Sequence, residues 1–200
     1  MGRAIAASAL VSAWLIAVAS ACGGVERVVD LRHVNWLEAS LPGYICGAHG
    51  PIHLKDGAAV VRSRRWRQWP RVHVTDTWVE KPVVYGVLDG HPSAAVSVNC
   101  NNGGGTVDGV LWYAQAIFTA APTAPRLVGV VFARVHRPDQ LATVVRVAFH
   151  GSDVVSREYY YGSADGSCCP SGRATTIWTY SHGTLSPVST VITKRPYRFP

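Results

Sequence analysis

The 200-residue sequence contains no Cys-x-x-Cys pair, no Gly-x-Ser-x-Gly and no His-Glu-x-x-His. The first absence removes the usual ligand spacing of a zinc site. The second removes the nucleophile elbow of the α/β-hydrolases, and the third the helix-borne zinc site of a metalloprotease. Acidic residues are also scarce, 12 against 19 Lys and Arg, so the formal net charge is +7. That balance suits an anionic partner or surface. No internal repeat and no long linker divides the chain, and its length suits one domain with a real core. What is abundant is apolar: 48% of residues are hydrophobic, with 7 Trp and 8 Tyr, which excludes a disordered chain. No cofactor and no metal are expected.

The N-terminus speaks to compartment. After Met1-Gly2-Arg3 the segment Ala4 to Ala21 carries no charge and ends in Ala19-Ser20-Ala21-Cys22-Gly23-Gly24. One basic residue, an apolar run and small residues before a break describe an export signal. Three readings compete. Cleavage before Cys22 would let its thiol carry a diacylglycerol, as in a bacterial lipoprotein; the segment resembles a lipobox, with Ala19 where Leu is usual. Ordinary cleavage after the A-x-A pattern would leave Cys22 free. An uncleaved anchor is the third, for which the run is barely long enough. All three export the domain. Cysteine parity favours the first, because lipid on Cys22 leaves Cys46, Cys100, Cys168 and Cys169, an even set for an oxidising compartment. The chain then divides into a signal peptide (1–21), a tether with a short helix (22–40) and a β-rich extracytoplasmic domain (41–200). The expected location is the outer face of the bacterial cytoplasmic membrane or the cell envelope, with the membrane as partner through the diacylglycerol.

From Val25 to Leu37 the apolar spacing predicts a helix, ended by Leu41-Pro42-Gly43. Everything afterwards alternates or runs β-branched. Strands are predicted at Ala58 to Val61, Val72 to Val79, Pro82 to Leu88, Ala94 to Cys100 and Val110 to Phe118. Others follow at Arg126 to Val135, Thr143 to Phe149, Val154 to Tyr161, Ala174 to Tyr180 and Leu185 to Ile192. Turn residues separate them, which predicts a single antiparallel β-sandwich or barrel-like domain, stapled by disulfides.

Cys168 and Cys169 are adjacent in Ala164-Asp165-Gly166-Ser167-Cys168-Cys169-Pro170-Ser171-Gly172. Consecutive Cα atoms lie about 3.8 Å apart, whereas disulfides usually want at least ~4.4 Å. Pro170 favours extended backbone at Cys169, and extended neighbours point to opposite sides. The expectation is therefore two bridges, from Cys168 and Cys169 to Cys46 and Cys100, in an order left open.

Several features recur in order: Cys22 in its lipobox-like setting, Gly43-Tyr44-Ile45-Cys46, and Tyr85 to Gly90 leading to Val98-Asn99-Cys100. A hairpin then precedes Cys168-Cys169-Pro170-Ser171-Gly172 and a strand bearing Trp178. Over most of residues 40 to 190 this resembles the LppP/LprE family of actinobacterial, notably mycobacterial, lipoproteins. The resemblance implies export, lipid anchoring and a small β-rich domain, and it supplies no reaction or catalytic residues. The chain departs from the family at Asp89-Gly90, where His91 and Pro92 follow instead of a more acidic stretch. A hard cation there would need several oxygen ligands.

Between residues 62 and 71 lie Arg62, Arg64, Arg65, Trp66, Arg67, Trp69 and Arg71. Inside a cell this mixture would suit nucleic acid. Export removes that partner and leaves anionic lipid headgroups or an envelope polymer, against the plainer reading of a charged, solvated loop or edge strand. Asn101 to Gly105 has the glycines of a phosphate cradle but leads into a strand, so an ordinary connection is expected. His150-Gly151-Ser152-Asp153 has the residue types of a hydrolase triad, yet reads as a hairpin turn. The leading expectation is a non-enzymatic envelope-binding or envelope-maintenance module. The alternative is a secreted hydrolase whose Ser and His come from separate loops.

Overall fold

The computed structural model describes residues 27–66, 71–75, 83–103, 109–135, 142–166 and 169–195. Among these residues the strands are β1 (Ser40–Pro42), β2 (Pro51–His53), β3 (Ala58–Arg62), β4 (Arg71–Thr75), β5 (Val83–Leu88) and β6 (His91–Asn101). They continue with β7 (Val110–Thr119), β8 (Arg126–Phe132), β9 (Ala142–His150), β10 (Asp153–Tyr160), β11 (Gly172–Ser181) and β12 (Thr184–Lys194). A six-stranded sheet runs β3-β4-β6-β7-β8, with β5 also paired to β6. A four-stranded sheet runs β12-β11-β10-β9, and β1 pairs with β2. The pairings are antiparallel and neither large sheet closes into a barrel, so the chain is mainly β and sandwich-like.

Alternation along the strands builds two cores. On β6, Ala94, Val96, Val98 and Cys100 face a cluster with Leu31, Trp36, Leu41 and Ile45 from the N-terminal segment. Ala95 faces the other way, into a cluster with Ile117, Val131, Val147, Val154 and Trp178 that fills the space between the two sheets. The six-stranded sheet is thus covered on both faces. The four-stranded sheet buries one face only, as the alternation of Val154, Ser156, Glu158 and Tyr160 with more exposed neighbours shows.

Two expectations are corrected. The helix predicted between Val25 and Leu37 is replaced, in the described part, by 3-10 turns at Leu31–His33 and Trp36–Glu38. Asp30 accepts from the Arg32 N–H and Asn35 from the Leu37 N–H, so each side chain starts a new short turn instead of letting one helix propagate. The second correction is the disulfide pairing: Cys46 bonds Cys100. Cys46 closes the 3-10 turn Gly43–Cys46 and Cys100 ends the core-facing row of β6, which brings their Cα atoms to 5.6 Å. Their common burial in the N-terminal core makes them each other's partner. Cys169 is also disulfide-bonded; the remaining cysteines, Cys22 and Cys168, lie outside the described residues.

A glycine marks a close approach on each flank of the sandwich. A Cβ on Gly86 of β5 would stand 2.4 Å from Cδ2 of Phe149 on β9. A Cβ on Gly129 of β8 would stand 2.7 Å from Cβ of Leu185 on β12. Along the outer strand β12, Pro187 lies opposite Trp178 beside a break in register, and Val188, Val191 and Ile192 are exposed.

Candidate functional site

Among the described residues β5 and β9 each pair on one side only, so the flank where they meet presents two strand edges. The β5–β6 turn uses Asp89 and Gly90, both at positive φ (52° and 77°), as a tight hairpin requires. The Asp89 N–H donates to the Gly151 carbonyl at 2.8 Å, tying this turn to the β9–β10 turn. Around the Gly86–Phe149 contact the two strands border a cleft of about 570 Å³. Val84, Val87, Val145, Val147 and Phe149 supply apolar side chains, and polar surface, with Gln115 and the cation Arg146 among its sources, makes up at least half of the lining. The volume lies in the range of small-molecule sites.

The polar point is built from the central strands. Ser97 of β6 and Gln115 of β7 are register partners that face between the sheets. Ser97 Oγ accepts from Gln115 Nε2 at 2.9 Å and donates to Gln115 Oε1 at 3.2 Å. Asn99 and Thr119 occupy the same face, and Asn99 Oδ1 and Thr119 Oγ1 are buried without a hydrogen-bond partner among the described residues. Tyr113, opposite Asn99, has its phenol pKa pushed up by burial and by Tyr161. One face of these two strands is therefore wholly apolar and the other carries a polar band.

Deeper between the sheets lies a second polar group that the sequence reading missed. Glu158 is 0% exposed. Its Oε2 accepts from the Arg134 and Val135 backbone N–H groups at 2.7 and 3.2 Å, and its Oε1 accepts from Ser156 Oγ at 3.3 Å. The Trp178 indole N–H donates to the same Ser156 hydroxyl at 3.1 Å. This network fastens the end of β8 to the four-stranded sheet. Period-two alternation from Val154 points Ser156 and Glu158 inward, and that signal alone could have found them.

The arginine-rich segment is divided by the fold. Arg62 and Arg71 face each other across the β3–β4 ladder and both are exposed. Arg65 instead stacks on aromatics, its guanidinium carbon 4.1 Å from the Trp112 ring centre and 5.2 Å from that of Trp66. Burial pulls its pKa down. Ser63 Oγ accepts from the Arg65 and Trp66 N–H groups, and Arg64 N–H donates to the Gly47 carbonyl, which holds this stretch against the N-terminal layer. Trp66 packs on that core. Arg67 and Trp69 lie outside the described residues, and none of the described members lines the cleft.

His150 and Asp153 are partners across the β9–β10 hairpin, with Gly151 and Ser152 forming its turn. The Ser152 carbonyl accepts from Tyr180 N–H, and Asp153 Oδ1 accepts from Thr179 Oγ1 at 2.6 Å. These residues serve the hairpin as expected. Among the described residues no three His, Cys, Asp or Glu side chains cluster as metal ligands. No helix among them is long and apolar enough to cross a membrane.

Fold and site together define a disulfide-tied antiparallel β-sandwich with a ligand-sized cleft on one open flank. No family model, no curated protein and no solved structure matches the chain.

Proposed function

We propose that the chain is an exported, LppP/LprE-like cell-envelope protein, anchored to the outer face of the cytoplasmic membrane by a diacylglycerol on Cys22, and that its β-domain binds rather than catalyses. The observation that carries the binding reading is the cleft itself, about 570 Å³ between β5 and β9, where Val and Phe side chains share the lining with polar surface that includes Gln115 and Arg146. Export and anchoring rest on the uncharged run ending at Cys22 and on the disulfide chemistry of the domain.

An environment-sensitive apolar dye titrated into the purified protein tests the cleft. Saturable fluorescence enhancement is expected, and Val145→Trp, which fills the half-buried wall position, should abolish it while the fold survives by circular dichroism. Unchanged dye binding in that variant would refute the assignment. Metabolic labelling with an alkynyl fatty acid tests the anchor: label should appear on the wild type and vanish in Cys22→Ser.

A further inference from the structure

We infer that the cleft holds an acyl-bearing amphiphile of the adjoining membrane with a phosphate head, the chain between β5 and β9 and the phosphate on Arg146 and Arg157; this rests on the binding reading above. Arg146 lines the cleft and is also the cross-strand partner of Arg157 on the outward face of the four-stranded sheet. Both are exposed, and neither has an ion-pair or hydrogen-bond partner among the described residues. Like charges directly opposite on neighbouring strands destabilise a sheet. A pair kept in that arrangement without a counter-charge is complementary to an anion, and two guanidinium forks match the several oxygens of a phosphate.

The rest of that face agrees. Arg173 is stacked on Tyr159, its guanidinium carbon 3.7 Å from the ring centre, but it donates to the Pro170 and Gly172 carbonyls and its charge acts on Asp165, which leaves Arg146 and Arg157 as the uncompensated pair. Asp153 sits at the far end of β10 and is already bonded to Thr179, and Asp165 is held by Gly162 and Ser171. Glu158, the neighbour of Arg157, points inward and is spent on backbone N–H groups.

Tether length selects the source. Val29 N–H donates to the Ala121 carbonyl, so the chain is docked to the β7–β8 connection by that point. Ala120 N–H in turn donates to the Pro92 carbonyl at the start of β6, beside the Asp89-Gly90 turn that borders the cleft. Cys22 lies seven residues before Val29. Seven residues span at most about 25 Å when fully extended. A lipid on Cys22 therefore keeps the cleft end of the sandwich beside the bilayer, where the available amphiphiles are membrane lipids.

Native mass spectrometry of the full-length protein, offered equal amounts of oleoyl lysophosphatidic acid, oleic acid and monooleoylglycerol, tests the inference. The phosphate-headed lipid should be retained about tenfold better than the neutral one, the advantage expected of hydrogen bonds to a charged group. In Arg146→Gln/Arg157→Gln this advantage should fall to parity. Equal retention of all three lipids, retention of oleic acid equal to the phosphate, or an unaltered preference in the variant would overturn it. Dye binding without any acyl adduct defeats this inference alone, whereas loss of dye and lipids together defeats the binding reading beneath it.

Discussion

The Phe149 side chain occupies the space where a side chain at position 86 would begin, with only 2.4 Å between an ideal Cβ there and Cδ2 of the ring. Glycine in a strand interior marks such an approach. Gly86→Ala should therefore lower unfolding free energy by roughly 1–3 kcal/mol through overpacking. Phe149→Leu in the same chain should recover part of that loss. Urea titrations of the two single variants and the double variant check it, and strict additivity would mean that the contact is not the cause.

Glu158 has a sharper expectation. Glu158→Ala leaves the Arg134 and Val135 N–H groups without their acceptor. Each unsatisfied buried group costs about 1–3 kcal/mol. Glu158→Gln keeps an acceptor oxygen and should lose much less. Thermal melts followed by tryptophan fluorescence would separate the two, since Trp178 sits in the same network.

Asp165 sets an acid limit on the loop that carries Cys169. Hydrogen bonds from Gly162 N–H, then from the Ser171 hydroxyl and N–H, hold its carboxyl below the ordinary value, with Arg173 helping and desolvation opposing. A folded-state pKa depressed below the unfolded value, about 3.9, gives stability that is present above that value. It is lost as pH falls through the folded pKa. Asp165→Asn should melt earlier than the wild type at neutral pH, and the gap should close below about pH 4. A gap of constant size down to strongly acid pH would contradict the assignment.

The Cys46–Cys100 bond closes a separation of 54 residues. Chain-entropy arguments put its contribution at about 4 kcal/mol. Cys46→Ala/Cys100→Ala should lose stability on that order. Peptide mapping without reduction should recover Cys46 linked to Cys100 and Cys169 in an oxidised peptide. If intact mass shows diacylglycerol on Cys22, counting leaves Cys168 as the intramolecular partner of Cys169.

Much of the fold was legible. The runs Ala94 to Cys100 and Val154 to Tyr161, each set off by turn residues, form β6 and β10 within a residue or two at most ends except the start of β6, which begins at His91. β1 and β2 were not, because three-residue strands such as Ser40–Pro42 leave no periodicity to read. The N-terminal segment misled because Leu31 and Trp36 are both buried yet five residues apart, a spacing bridged by two turns and by the Trp36 indole donating to the Leu31 carbonyl. The disulfide partner of Cys46 depends on which end of β6 folds over which turn, a long-range fact. The cleft was illegible for the same reason: Val84 and Val147 become neighbours only through the meeting of two sheets. Ser97, Gln115 and Glu158 were the exceptions, polar residues at inward positions that alternation could have exposed.

Pro187 has a consequence for how the molecule meets its own copies. β12 is long, its outer side is unpaired among the described residues, and Val188, Val191 and Ile192 stand open to solvent. Such a strand invites another to dock alongside it. A proline offers no amide proton, and beside it the register slips by a residue. An incoming strand would find the ladder interrupted at the fourth residue of the strand. The most exposed margin of the sandwich thus carries its own safeguard against polymerisation, one that Pro187→Thr would remove.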